Sequence, residues 1–191
     1  MNSKFKRIAL HSHAKKEMKK MKKNIVLTGY MGTGKTTIGN NLAKEMGMKF
    51  IDTDELIEKK AGIKISEIFK NFGEEKFREI ETEVAKEMLK INNSIISTGG
   101  GIVLKDKNME YLRKNGIVFL LWASPETIYN RIKNNKNRPL LRVKNPQKKI
   151  EEMLEEREVK YKESNDFEII TDQKSIYGII LEIKKKYLDN Y

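Results

Sequence analysis

The stretch Gly29-Tyr-Met-Gly32-Thr-Gly34-Lys35-Thr36-Thr37 limits this chain more than any other. It fits the pattern Gly-x-x-x-x-Gly-Lys-Ser/Thr, with a further glycine inside it. An apolar segment, 24–28, precedes it and reads as a strand. The residues after it, to about 46, read as a helix. Glycines let successive backbone N–H groups turn inward around an anion without Cβ clashes. The helix N-terminus adds partial positive charge at the same point. In such a cradle Lys35 reaches the β- and γ-phosphates of a nucleoside triphosphate, and the Thr36 hydroxyl is placed to bind Mg²⁺. This loop predicts nucleotide binding but does not name the phosphoryl acceptor.

The rest of the chain alternates strand and helix, the pattern of a parallel α/β sheet. Strands are expected at 49–52, 94–97, 117–122 and 167–171. The segment 117–122 is apolar throughout, as a strand covered on both faces should be. Helices are expected between 54 and 91 with breaks, and at 124–134, 146–164 and 175–188. Ser124 reads as an N-cap with Pro125 at the first helical position. Phe77, Ile80, Val84, Ala85 and Met88 recur at helical spacing and form one apolar stripe. Residues 133–148 are polar and basic and read as a mobile loop. No internal repeat or long linker divides residues 23–191, so one domain is expected there.

Composition excludes several chemistries. There is no cysteine, so disulfides, thiolate metal sites and cysteine nucleophiles are out. The two histidines, His11 and His13, lie in the basic segment 1–22, which shows no helical or strand period. Proton transfer elsewhere must use carboxylates, Lys, Tyr or water. The net charge is +12, and half of it comes from residues 1–20. That segment reads either as a basic arm for an acidic partner or as a solvated tail. The remaining charge is spread thinly, which suits anionic ligands without requiring nucleic acid. No apolar run is long enough to span a bilayer, and no signal-peptide pattern is visible. A cytoplasmic protein with no membrane partner is expected.

Two further segments fall where an α/β sheet binds its ligands. Asp52-Thr53-Asp54 ends the second strand. In extended backbone Asp52 and Asp54 point the same way, so one can serve Mg²⁺ while the other holds an acceptor hydroxyl. The competing reading is a helix N-cap. Ser97-Thr98-Gly99-Gly100-Gly101 ends the third strand in a triple glycine, where main-chain N–H groups could approach a small polar ligand. Arginine is scarce in this lysine-rich chain, which has seven. Arg offers a planar fork for carboxylate or phosphate that Lys lacks. Arg78, Arg131, Arg138 and Arg157 therefore stand out.

Together these pieces resemble the shikimate kinase family from about residue 22 onward. The matching stretches are 29–37 (GYMGTGKTT), 51–54 (IDTD), 73–81 (GEEKFREIE), 97–101 (STGGG), 138–141 (RPLL) and the E-R-x-x-x-Y pattern of 156–161. The resemblance implies ATP-dependent phosphorylation of the 3-hydroxyl of shikimate, with Mg²⁺ as cofactor. It also implies a P-loop-kinase α/β fold in three layers: an open, parallel, five-stranded sheet with helices on both faces. A substrate-binding subregion (53–82) and a lid (133–145) would complete it. By position, Lys35 and Thr36 match the γ-phosphate and Mg²⁺ contacts. Gly32, Thr33, Gly34 and Thr37 complete the loop around the nucleotide. Asp52 matches the residue reaching Mg²⁺ through water, and Asp54 the one that holds the reacting hydroxyl and acts as base. Arg78 and Arg157 match the grip on the substrate carboxylate. Gly100, with Gly99 and Gly101, matches the backbone contact to substrate hydroxyls. Arg138 matches the lid arginine, and Arg131 the arginine stacked on adenine. The expected partners are small molecules, ATP and shikimate, and the expected state is a monomer. The alternative acceptor is another small polyol acid such as gluconate. A nucleic-acid-binding switch is disfavoured, because no face interleaves aromatic and basic residues.

Overall fold

A computed structural model describes residues 23–134, 143 and 145–190. Five strands form one sheet: β1 (Asn24–Thr28), β2 (Lys49–Asp52), β3 (Ser94–Ser97), β4 (Gly116–Trp122) and β5 (Phe167–Ile170). Their spatial order is β2-β3-β1-β4-β5, and every neighbouring pair is parallel. The helices are α1 (Lys35–Met46), α2 (Thr53–Ala61), α3 (Ile65–Glu87), α4 (Asp106–Lys114), α5 (Pro125–Ile132), α6 (Pro146–Glu163) and α7 (Ile176–Asp189). The expected three-layer α/β architecture is the one observed.

Alternation along the strands divides the core. Ile25, Leu27, Ile95, Phe119 and Leu121 face α1 and α7, where they meet Ile38, Leu42, Ile179 and Ile183. Val26, Ile96, Val118 and Leu120 face the other way, onto Met109, Ile128, Ile150 and Leu154. β1 and β3 are adjacent, yet the helices that follow them pack on opposite faces of the sheet. This divergence opens a crevice at the carboxyl ends of the two strands, where ligands bind in open α/β sheets. A third cluster, Ile57, Ile68, Phe77 and Val84, joins α2 to α3 outside the main core.

One helix was not read from the sequence, and the breaks expected between 54 and 91 include one at Gly73. Helix α4 carries only Met109 and Leu112 as buried apolar anchors, with Asn108 buried beside them, too few to show a helical period. Helix α3 is broken at Gly73, whose φ of 81° and ψ of 177° leave the helical region. Ser124 caps α5 as expected, accepting from the Thr127 N–H, with Pro125 at its start. Among the described residues no helix is long and apolar enough to cross a membrane.

Candidate active site

The crevice holds a cavity of about 470 Å³. The loop between β1 and α1 forms its floor. Gly34 stands at the N-cap of α1 with φ 99°, and Gly32 has φ 80° with Ile132 pressed against its Cα side. Both positions demand glycine, because a left-handed backbone and a Cβ are incompatible there. The Lys35 ammonium donates to the Gly29 and Tyr30 carbonyls at 2.7 and 2.9 Å. Its charge is thereby held inside the loop, beside the α1 N-terminus. Thr33, Thr36 and Thr37 line the same cavity.

Asp52 caps a helix and also reaches the nucleotide loop. Its Oδ1 accepts from the Asp54 N–H at 3.0 Å and caps α2. Its Oδ2 accepts from the Thr36 hydroxyl at 3.2 Å. A hydroxyl and a carboxylate oxygen are the hard donors Mg²⁺ prefers. Among the described residues no group of three or more His, Cys, Asp or Glu side chains could hold a metal by itself. An ion here would complete its shell with phosphate and water oxygens, as Mg²⁺ does at phosphate sites. The residues fit that ion.

The triple glycine is where the other candidates converge. A Cβ on Gly99 would lie 2.6 Å from Asp54 Oδ1, and one on Gly101 would lie 2.5 Å from Arg78 Nη1. At Gly100 the neighbours are the Met31 N–H group and the Tyr161 hydroxyl. Each glycine thus stands against a different part of the site. Arg157, on α6, places its guanidinium 5.9 Å from the centre of the Tyr30 ring. Tyr30, a residue of the loop itself, is fully buried.

Arg78 is tied down by two carboxylates. Its Nη1 donates to Glu81 Oε2 at 2.9 Å, and Nε and Nη2 donate to Glu74 Oε1 at 3.1 and 2.9 Å. Burial works against the guanidinium charge, but Glu81 and Glu74 still hold its pKa above the ordinary value. The Glu81 side chain is 1% exposed. Burial pushes its carboxyl up, against the pull of Arg78 and with a push from nearby Asp54. Glu81 was missed in the sequence, although its i+3 spacing from Arg78 on an amphipathic helix was the available signal.

Arg131 bridges the loop to the sheet edge. It donates to the Thr171 carbonyl and hydroxyl at 2.8 and 3.0 Å and to the Gly32 and Thr33 carbonyls at 3.4 Å. Asp172, also missed, secures the start of this helix, accepting from the Ser124 N–H and from the Ser124 and Thr127 hydroxyls. Burial opposes its charge, but these donors hold its carboxyl below the usual value. Arg138 and most of the expected lid lie outside the described residues, as does segment 1–22.

The shikimate kinase family model matches residues 31–188. The shikimate kinase of Thermodesulfovibrio yellowstonii is 48% identical over 165 residues, covering 86% of this chain and 95% of the relative. That of Caldanaerobacter subterraneus subsp. tengcongensis is 47% identical, covering 87% and 96%. The solved shikimate kinase from Acinetobacter baumannii in complex with shikimate superposes with a TM-score of 0.82 at 38% identity, covering 88% of this chain and 94% of that one. On this match over most of its length, the chain belongs to the shikimate kinase family.

Proposed function

We propose that this chain transfers the γ-phosphoryl group of ATP to the 3-hydroxyl of shikimate, giving shikimate 3-phosphate and ADP. The observation that carries this reading is the convergence of Asp54, Arg78 and the nucleotide loop on one glycine turn. An acceptor bearing a carboxylate and several hydroxyls matches that set. Gluconate would also need the loop, but the family membership favours shikimate.

The residues divide the work as phosphoryl transfer requires, by positioning and charge neutralisation. The loop N–H groups of Gly32, Thr33 and Gly34 and the Lys35 ammonium hold the β- and γ-phosphates. To do so, Lys35 exchanges its bonds with the Gly29 and Tyr30 carbonyls for phosphate oxygens. Thr36, with Asp52 acting through water, would hold Mg²⁺, which would neutralise charge on the phosphate oxygens. Asp54 accepts the proton of the 3-hydroxyl and aims its oxygen in line. Arg78 and Arg157 grip the substrate carboxylate. Glu74 is exposed and shares the Arg78 fork with buried Glu81, so an incoming carboxylate displaces Glu74 while Glu81 keeps the fork in place. Gly99, Gly100 and Gly101 let substrate hydroxyls approach main chain. Arg131 stacks on adenine beside Thr37. Arg138, from a lid over 133–145, closes on the transferring group and excludes water. The substrate-binding subregion 53–82 and the lid belong to one domain over 23–191, acting as a cytoplasmic monomer.

The test is a coupled assay of ADP release with shikimate, with gluconate and with no acceptor. Release dependent on shikimate is expected; equal or greater release with gluconate would overturn the assignment.

A further inference from the structure

The main-chain polar groups of the triple glycine are nearly all engaged within the protein. The Gly99 N–H donates to the Thr53 hydroxyl at 3.1 Å. The Gly99 carbonyl accepts from the Ile102 N–H at 3.2 Å, and the Gly101 carbonyl from the Leu104 N–H at 3.0 Å. The Gly100 carbonyl accepts from the Tyr161 hydroxyl. Only the N–H groups of Gly100 and Gly101 have no hydrogen-bond partner among the described residues.

A trans peptide is planar, so its C=O and N–H point in opposite directions, and no peptide here is cis. Fixing the Gly100 carbonyl therefore fixes the direction of the Gly101 N–H. Among the described residues, the one group that fixes this carbonyl is the Tyr161 hydroxyl, on α6, one helical turn beyond Arg157. Gly101 in turn lies against Arg78. Tyr161 thus links the element that carries one arginine of the proposed clamp to the turn that abuts the other.

We propose that Tyr161 is a positioning residue for substrate: by holding the Gly100 carbonyl, its hydroxyl aims the Gly101 N–H at the acceptor and sets the spacing between Arg157 and the Arg78 side of the site. Tyr161 is fully buried, and its ring meets Trp122 edge-on at 6.2 Å, so the ring stays in place without the hydroxyl. Burial pushes the phenol up, which keeps it protonated as a donor at neutral pH. The inference rests on the reading of the chain as a kinase that binds shikimate here.

The test is Tyr161→Phe, with melting temperature and steady-state kinetics measured for both substrates. Loss of one aiming hydrogen bond is expected to raise the KM for shikimate about tenfold, with the KM for ATP unchanged. An unchanged KM for shikimate, or an equal rise for ATP, overturns the role. A parent protein inert toward shikimate overturns the activity itself, which separates the two failures. A measurement on the parent alone keeps the test open if the variant does not fold. With glycine labelled in ¹⁵N, the Gly101 amide resonance should shift on adding shikimate. No shift at Gly101 overturns the inference.

Discussion

Gly101 makes room for Arg78. Its φ of −102° suits any residue, so backbone strain does not call for glycine here. A Cβ would, however, lie 2.5 Å from Arg78 Nη1 and 2.9 Å from Cζ. Such an overlap forces the guanidinium aside, away from Glu81 and from any bound carboxylate. Gly101→Ala is expected to raise the KM for shikimate at least about tenfold, because a charge-assisted bidentate contact is lost. The KM for ATP should stay near the parent value. Arg78→Lys should act in the same direction, since Lys cannot present a fork. Steady-state kinetics with each substrate varied in turn checks both variants, and equal effects on ATP and shikimate would count against the arrangement.

Asp54→Asn separates binding from chemistry. The amide keeps the shape of the side chain but cannot take up a proton. We expect kcat to fall by about 10²–10⁴, the usual contribution of a positioned base, while calorimetric titration shows ATP binding retained. Turnover close to normal would remove Asp54 from the mechanism.

The two roles of Asp52 can be distinguished by a single substitution. Asn is as good an N-cap as Asp, so Asp52→Asn should preserve the cap on α2 and leave the melting temperature near the parent value. It weakens the carboxylate donor facing Thr36. The Mg²⁺ concentration for half-maximal rate should rise, about tenfold, as for the loss of an outer-shell partner. A Mg²⁺ titration of initial rate, read beside a thermal melt, shows which role dominates.

Glu81 gives a pH dependence of known sign. Burial raises its folded-state pKa above 4.5, so the folded protein binds the proton more tightly than the unfolded chain. The stability that this group contributes is full below pH 4.5 and declines as pH rises through the raised value. Glu81→Gln removes this titration. The difference in melting temperature between variant and parent should therefore move in the variant's favour as pH rises from 4.5. A series of thermal melts across the acid range measures it; a difference that moves the opposite way contradicts the burial argument.

Much of the fold was legible because its signals are local. The strand over 24–28, the glycine loop and the helix after it form one continuous motif whose chemistry depends on spacing alone. The apolar segment 117–122 declared a doubly covered strand, and the structure differs there only by starting β4 at Gly116. Ser124 and Pro125 announced the start of α5. By contrast α4, with two buried apolar residues, was invisible, because its position depends on contacts with the sheet rather than on its own pattern.

From the sequence alone came the nucleotide loop, the alternating strands and helices, the paired acids and the scarcity of arginine that made Arg78 and Arg157 conspicuous. Tertiary structure decided which of these meet. Glu81 became the anchor of Arg78, Asp172 the brace of α5 and Tyr161 the bond to Gly100, because each depends on a partner brought near by folding or on burial created by it. Local spacing records the chemistry a segment can do. Desolvation and contact between distant segments, such as Tyr161 and Gly100, exist only once the sheet has assembled.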